Sequence, residues 1–132
     1  MAHWFDSYVG LPVTHGGRSR EQGVDCWGLA RLIYREQLGI ELEAFDYPPE
    51  KEIEEAIILS EIETEHWKKV ESPQEFDLVL FHVPKGGPLC HLGVCLDPWY
   101  FVHVTKKGIF RMRHDAMLWT GRREGFYRHV DR

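Results

Sequence analysis

Basic residues are few and scattered. Lysine and arginine number 16 against 21 aspartates and glutamates, for a formal charge of −5. No basic block interrupts the chain, which argues against nucleic acid as a partner. Arg122 and Arg123 form a pair, not a patch, and read as the solvated end of a strand. Cysteine is also scarce. The three present, Cys26, Cys90 and Cys95, are odd in number and lack framework spacing. This excludes a disulfide scaffold and points to reduced thiols and cytosolic synthesis. No apolar stretch approaches about 18 residues, so no membrane span is expected. The opening Met1-Ala2-His3-Trp4-Phe5-Asp6 has neither a basic region nor an apolar run, so no signal peptide is expected. A target outside the cytoplasm would have to be reached by another route. Internal repeats and low-complexity linkers are absent.

What is present suits one domain over residues 1–132, with 43% apolar and 13% aromatic residues to build a core. The opening ends in a turn-rich loop, Leu11-Pro12-Val13-Thr14-His15-Gly16-Gly17, which runs on through a polar stretch to Gln22. Asp25 then reads as a helix N-cap. Leu29, Leu32 and Ile33 fall on one face, and Gly39 reads as a stop. A second helix is expected over residues 50–63, entered through Pro48-Pro49. Ile53, Ile57 and Ile58 would pack inward and the glutamates would mostly face solvent. From Phe76 the period shortens. Phe76-Asp77-Leu78-Val79-Leu80-Phe81 reads as a buried strand, with Asp77 as a turn or cap residue, and Pro84-Lys85-Gly86-Gly87-Pro88 breaks it. Further strands are expected at 91–96, 100–104, 108–113 and 125–130. Helices first, then antiparallel strands, predict an α+β fold with the helices on one face of a mostly antiparallel sheet.

The chemistry-bearing residues are Cys26, His91 and His103. Cys26 sits in the first helical turn, where free N–H groups and the helix dipole favour a thiolate. Alternation along a strand puts His91, Gly93 and Cys95 on one face. A tight turn centred near Asp97 would set His91 opposite His103, on that same face. A thiol, a base and an orienting group are the parts of thiol-based acyl transfer. Gly93 would leave room above the sheet for a substrate backbone or the helix end. The same three residues leave open a Cys-His-His zinc site, although no short paired-ligand motif accompanies them. Trp27 and Trp99 read as packing residues, with Trp27 placed to line a groove beside the thiol. His3, His15, His66, His82, His114 and His129 read as structural or surface residues.

Three segments together resemble the NlpC/P60 family of papain-like cysteine peptidases. Gly16-Gly17 followed by Asp25-Cys26-Trp27-Gly28-Leu29 resembles its nucleophile segment, and His91-Leu92-Gly93-Val94 its histidine motif. Phe101-Val102-His103-Val104, twelve residues on, resembles the strand bearing the third polar residue. The likeness covers residues 8–130. It implies the family's papain-like fold, a catalytic set of Cys26, His91 and His103, and a groove bordered by Asp25, Trp27 and Gly93. It implies no metal and no cofactor. The substrate implied is a peptidoglycan stem peptide, cut between γ-D-glutamyl and the diamino acid, with the Cys26 backbone N–H as one oxyanion donor. Asp25-Cys26-Trp27-Gly28, the stretch Arg31-Leu32-Ile33-Tyr34-Arg35-Glu36 and the small size most resemble the phage branch. That branch implies tail-tip partners, synthesis in the host cytoplasm and a place in the virion tail. A structural tail-tip component without hydrolytic activity, or a related amidase or acyltransferase, are the alternatives. Two positions depart from the pattern: Val13 stands where a tyrosine is frequent, and Trp27 where serine is usual. Tyr8 and His15 are the nearby candidates to replace the missing hydroxyl.

Overall fold

The computed structural model describes residues 4–44 and 51–132. After a short 3₁₀ turn, Trp4–Ser7, two tiny strands, β1 (Arg18–Ser19) and β2 (Gly23–Val24), pair as a hairpin in the segment read as loop. Helix α1 (Cys26–Ile33) follows, passes into a wider turn at Tyr34–Leu38 and stops at Gly39, whose φ of 67° suits glycine. Helix α2 (Lys51–Ile62) has the expected place, although the expected first residue, Glu50, and Pro48-Pro49 lie outside the described residues. The rest is β3 (Trp67–Val70), β4 (Leu78–His82), β5 (Leu89–Cys95), β6 (Tyr100–Thr105), β7 (Gly108–Arg113), the single turn α3 (Met117–Thr120) and β8 (Arg123–His129). These strands form one antiparallel sheet in the order β3-β8-β4-β5-β6-β7.

Alternation along the strands sorts the core into two clusters. Leu78, Leu80, Leu92, Val94 and Val102 meet Leu29, Leu32 and Ile33 of α1 and Ile58 and Ile62 of α2, so both helices cover one face, as expected. Val79, Phe81, Cys95, Phe101 and Phe126 point to the other face, where Trp119 of α3 packs on them. No helix among the described residues is long and apolar enough to cross a membrane.

Several local expectations are corrected. Strand β4 begins at Leu78, because Phe76 takes a positive φ of 73° and Asp77 closes a turn by accepting the Gln74 N–H at 2.7 Å. Asp77 is more than a turn residue. It is wholly buried and receives Nε and Nη2 of Arg128 at 2.9 and 2.8 Å, with Nη1 of Arg132 at 2.7 Å. Strand β3 was not expected, and it pairs with the last strand, β8. On α2, Glu61 is buried instead of solvated, because its carboxylate accepts the Trp67 Nε1–H at 3.1 Å. Trp99 is 62% exposed, so it is not a packing residue.

Candidate active site

Asp25 starts α1 by serving two backbone donors at once. Its Oδ1 accepts the Gly28 N–H and its Oδ2 the Gly16 N–H, each at 2.8 Å, so one carboxylate caps the helix and pins the preceding loop. Gly28 is glycine of necessity, since a Cβ there would lie 2.1 Å from the Gly17 carbonyl oxygen. Cys26 follows the cap as the first residue of α1, half-buried and in no disulfide. Its backbone N–H belongs to the helix start, where amide groups lack intrahelical acceptors.

Helix α1 packs against both β5 and β6, the strands that carry the two histidines. Those histidines meet directly: His91 Nε2 lies 2.8 Å from His103 Nδ1. The register differs from expectation. Gly93, not His91, pairs with His103, and Cys95 pairs with Phe101. The loop is centred one residue later than expected, because Asp97 Oδ1 accepts the N–H groups of both Trp99 and Tyr100, at 2.7 and 2.8 Å. His91 is therefore diagonal to His103, and imidazole length closes the remaining gap. The room expected above Gly93 is already filled. A Cβ there would lie 2.8 Å from Phe101 Cδ2 and 3.3 Å from His103 Cβ, so glycine admits the histidine pair, not a substrate backbone.

Aromatic rings enclose the pair. Trp119 stacks on His91 with centroids 5.2 Å apart and stands edge-on to His103 at 4.9 Å. Phe81 and Phe101 pack from beneath. Burial, reinforced by the charges of His103 and Arg122, lowers the His91 pKa to about 3. Burial alone lowers that of His103 to about 4. Both rings are thus neutral at neutral pH. Among the described residues, neither His103 Nε2 nor Trp119 Nε1 has a hydrogen-bond partner. An unfolded chain would protonate both histidines below about pH 6.5, whereas the fold holds them neutral down to about pH 4. Stability is therefore complete above pH 6.5 and falls as the pH drops toward 4. The His103 contribution alone reaches ~3 kcal/mol. Thermal melts at pH 7.5 and 4.5 should show this loss, and His103→Asn should flatten the acid limb.

Other expected groove residues sit elsewhere. Trp27 is buried, 3% exposed, and its Nε1–H donates to the Glu43 carbonyl at 2.8 Å, so its ring is core and not groove wall. Tyr8 is also wholly buried. Its hydroxyl donates to Glu36 Oε1 at 2.7 Å, and burial pushes its pKa up to about 12, which removes it as a stand-in for the missing tyrosine. Val13 and His15 are exposed. Of the remaining histidines, His82 bonds the Gly87 carbonyl, His114 lies near the Asp97 carbonyl and His129 accepts the Asp131 N–H. His3 lies outside the described residues. Among the described residues no three His, Cys, Asp or Glu side chains gather as metal ligands. A separate cavity of about 290 Å³, lined by Glu61, His66, His129 and Asp131 among others, includes neither Cys26 nor His91. Sequence reasoning missed Trp119 altogether: a lone tryptophan in a four-residue helix has no periodicity to betray it.

Comparison with known proteins bears on the family and the fold. The NlpC/P60 family matches residues 10–128. The murein DD-endopeptidase MepS/murein LD-carboxypeptidase of Escherichia coli K12 is 29% identical over 107 residues, 80% of this chain and 50% of that protein. The chain thus spans about half the length of the curated relatives it matches. A structure of a lipoprotein-like NLP/P60 family protein from Staphylococcus aureus Mu50 superimposes with a TM-score of 0.69 at 22% identity, over 94% of this chain and 38% of that one. The NlpC/p60 domain of the peptidoglycan hydrolase SagA gives 0.59 at 18% identity, over 92% and 89% respectively. At these identities the solved structures speak for the fold alone.

Proposed function

This chain belongs to the NlpC/P60 family, and we propose that it is a cysteine peptidase of peptidoglycan with Cys26 as nucleophile, His91 as base and His103 as orienting group. The observation that carries the reading is the direct 2.8 Å hydrogen bond between half-buried His91 and buried His103, both neutral, on strands packed against the helix that Cys26 begins. The relatives named above as a murein endopeptidase and a peptidoglycan hydrolase support the substrate.

The tautomer follows from the role. If His91 Nε2–H donates to His103 Nδ1, then His91 Nδ1 is left bare to take a proton. The Cys26 thiol gives its proton to that nitrogen as sulfur attacks the scissile carbonyl carbon. The new imidazolium then protonates the departing amine as the C–N bond breaks, leaving a thioester on Cys26. Water, deprotonated by His91, attacks the thioester and releases the acid. The Cys26 backbone N–H, at the start of α1, is one donor for the oxyanion. Because the body of α1 rests on the Leu92, Val94 and Val102 face, this reading has sulfur meet imidazole around the N-terminal end of the helix.

The bond assigned is the one between γ-D-glutamyl and the diamino acid. The setting assigned is a phage tail: synthesis in the host cytoplasm, tail-tip partners and wall contact from outside. Both rest on the resemblance of the Asp25–Gly28 and 31–36 segments. Digestion of purified Gram-negative peptidoglycan, read by mass spectrometry, tests the reading. Fragments ending in γ-D-glutamate, made by the wild type and not by Cys26→Ala, support it. Loss of cross-linked dimers would instead indicate the D,D-bond. No fragments from folded protein, alone or in assembled tails, would leave the structural tail role.

The third group has its own signature. His103→Asn keeps an acceptor for His91 Nε2–H and should lose about tenfold in kcat, against a hundredfold or more for His103→Ala. Equal losses would show that His103 does more than orient the ring.

A further inference from the structure

The histidine pair has a basic rim that the mechanism does not use. Arg122, half-buried, holds its guanidinium 5.5 Å from the Trp119 ring centroid, and the same indole stacks on His91. Its positive charge acts on His91. Lys85 reaches the same place from the turn between β4 and β5. Its Cε and Nζ stand 3.4 and 3.5 Å from where a Cβ on Gly121 would be, one residue before Arg122. The end of β4 is tied in by the His82 N–H, which donates to the Arg122 carbonyl at 2.7 Å. Neither cation pairs with a carboxylate among the described residues. Glu124, two residues along β8, is taken by Lys69 at 2.9 Å. Most arginines among the described residues meet a carboxylate or a carbonyl oxygen; this one sits over an indole next to the proposed base.

We propose that Arg122 and Lys85 form a carboxylate-recognising subsite beside the His91–His103 pair, which takes a free carboxylate flanking the scissile amide. The inference rests on the stem-peptide reading and deepens it. A γ-glutamyl amide leaves the α-carboxylate free a few bonds from the scissile carbonyl, and the diamino acid brings a second carboxylate on the amine side. An ordinary α-peptide carries neither at those places. The planar guanidinium, already held on Trp119, offers a carboxylate two parallel N–H donors at small ordering cost, while Lys85 adds a point charge.

Binding separates this subsite from turnover. Cys26→Ala protein is titrated calorimetrically with L-Ala-γ-D-Glu-diaminopimelate and with two versions, one amidated at the glutamate α-carboxyl and one at the diaminopimelate carboxyl nearer the acylated nitrogen. One amidation should weaken binding about tenfold or more, as expected for loss of a charged hydrogen bond, and which one does so names the carboxylate. In Cys26→Ala/Arg122→Gln the ratio between acid and amide should fall to near one. Arg122→Lys should restore part of it, and Lys85→Gln should reduce it less. Melting temperatures confirm that each variant is folded. Equal affinity for all three peptides, no binding of any, or an Arg122→Gln loss that is the same for acid and amides would overturn the subsite. Wild-type digestion without acid preference would sink the subsite alone. Acid-selective binding without digestion would sink the peptidase reading and leave the subsite standing.

Discussion

Cys26→Ala should lower the rate of stem-peptide hydrolysis by roughly 10⁴-fold or more and leave the protein folded. Removal of a nucleophile takes away the covalent route, and what remains is only binding and oxyanion stabilisation. The same substitution removes one sulfur atom from a half-buried position, so the stability change should stay below about 1.5 kcal/mol. The two readouts must be taken together. Loss of activity with an unchanged melting temperature identifies a chemical role. Loss of both would mean that the thiol is mainly a packing group at the start of α1. Thiol labelling adds an independent check. Cys90 is buried, and burial pushes the Cys95 thiol up well above its usual range, so alkylation near pH 7 should concentrate on Cys26.

Asp77→Ala should be the most damaging substitution away from the active site. The carboxylate has no exposure and collects three N–H groups from Arg128 and Arg132 besides the Gln74 N–H. Its removal strands two guanidiniums, the better buried of them 16% exposed, at the junction of β4 and β8. Breaking a buried pair from one side costs about 3–5 kcal/mol; the partial exposure of both arginines places this case near 3. For a domain of this size that is a drop of about 10 °C in Tm. Asp77→Asn keeps the shape and one acceptor and should lose about half as much. If Asp77→Ala melted within 2 °C of wild type, Asp77 would be no more than the turn residue expected from the sequence. This cluster joins the strand before the proposed base to the last strand of the sheet, so lost stability there should also appear as faster proteolysis of the C-terminal segment.

Local signals read correctly wherever one residue and its near neighbours settle the outcome. Asp25 caps α1 because a short carboxylate can reach the N–H three residues on, and Gly39 ends the segment because it accepts a positive φ. The period of two keeps His91 and His103 on a common face in any register that differs by an even number of residues, which is why the histidine pair was foreseeable although the pairing was two residues off. Order along the chain, helices before strands, already contained the α+β class. Contacts between distant residues had no such signal. Nothing in Asp77 or its neighbours announces Arg128 and Arg132, more than fifty residues away. Nothing in Trp67–Val70 announces that it pairs with β8, or in Glu61 that Trp67 draws it inside. The Trp119 roof, the Arg122 and Lys85 rim and the crowding over Gly93 likewise arise only when strands far apart in sequence lie side by side. Periodicity and capping are properties of the chain, whereas burial and charge environment are properties of what packs against it.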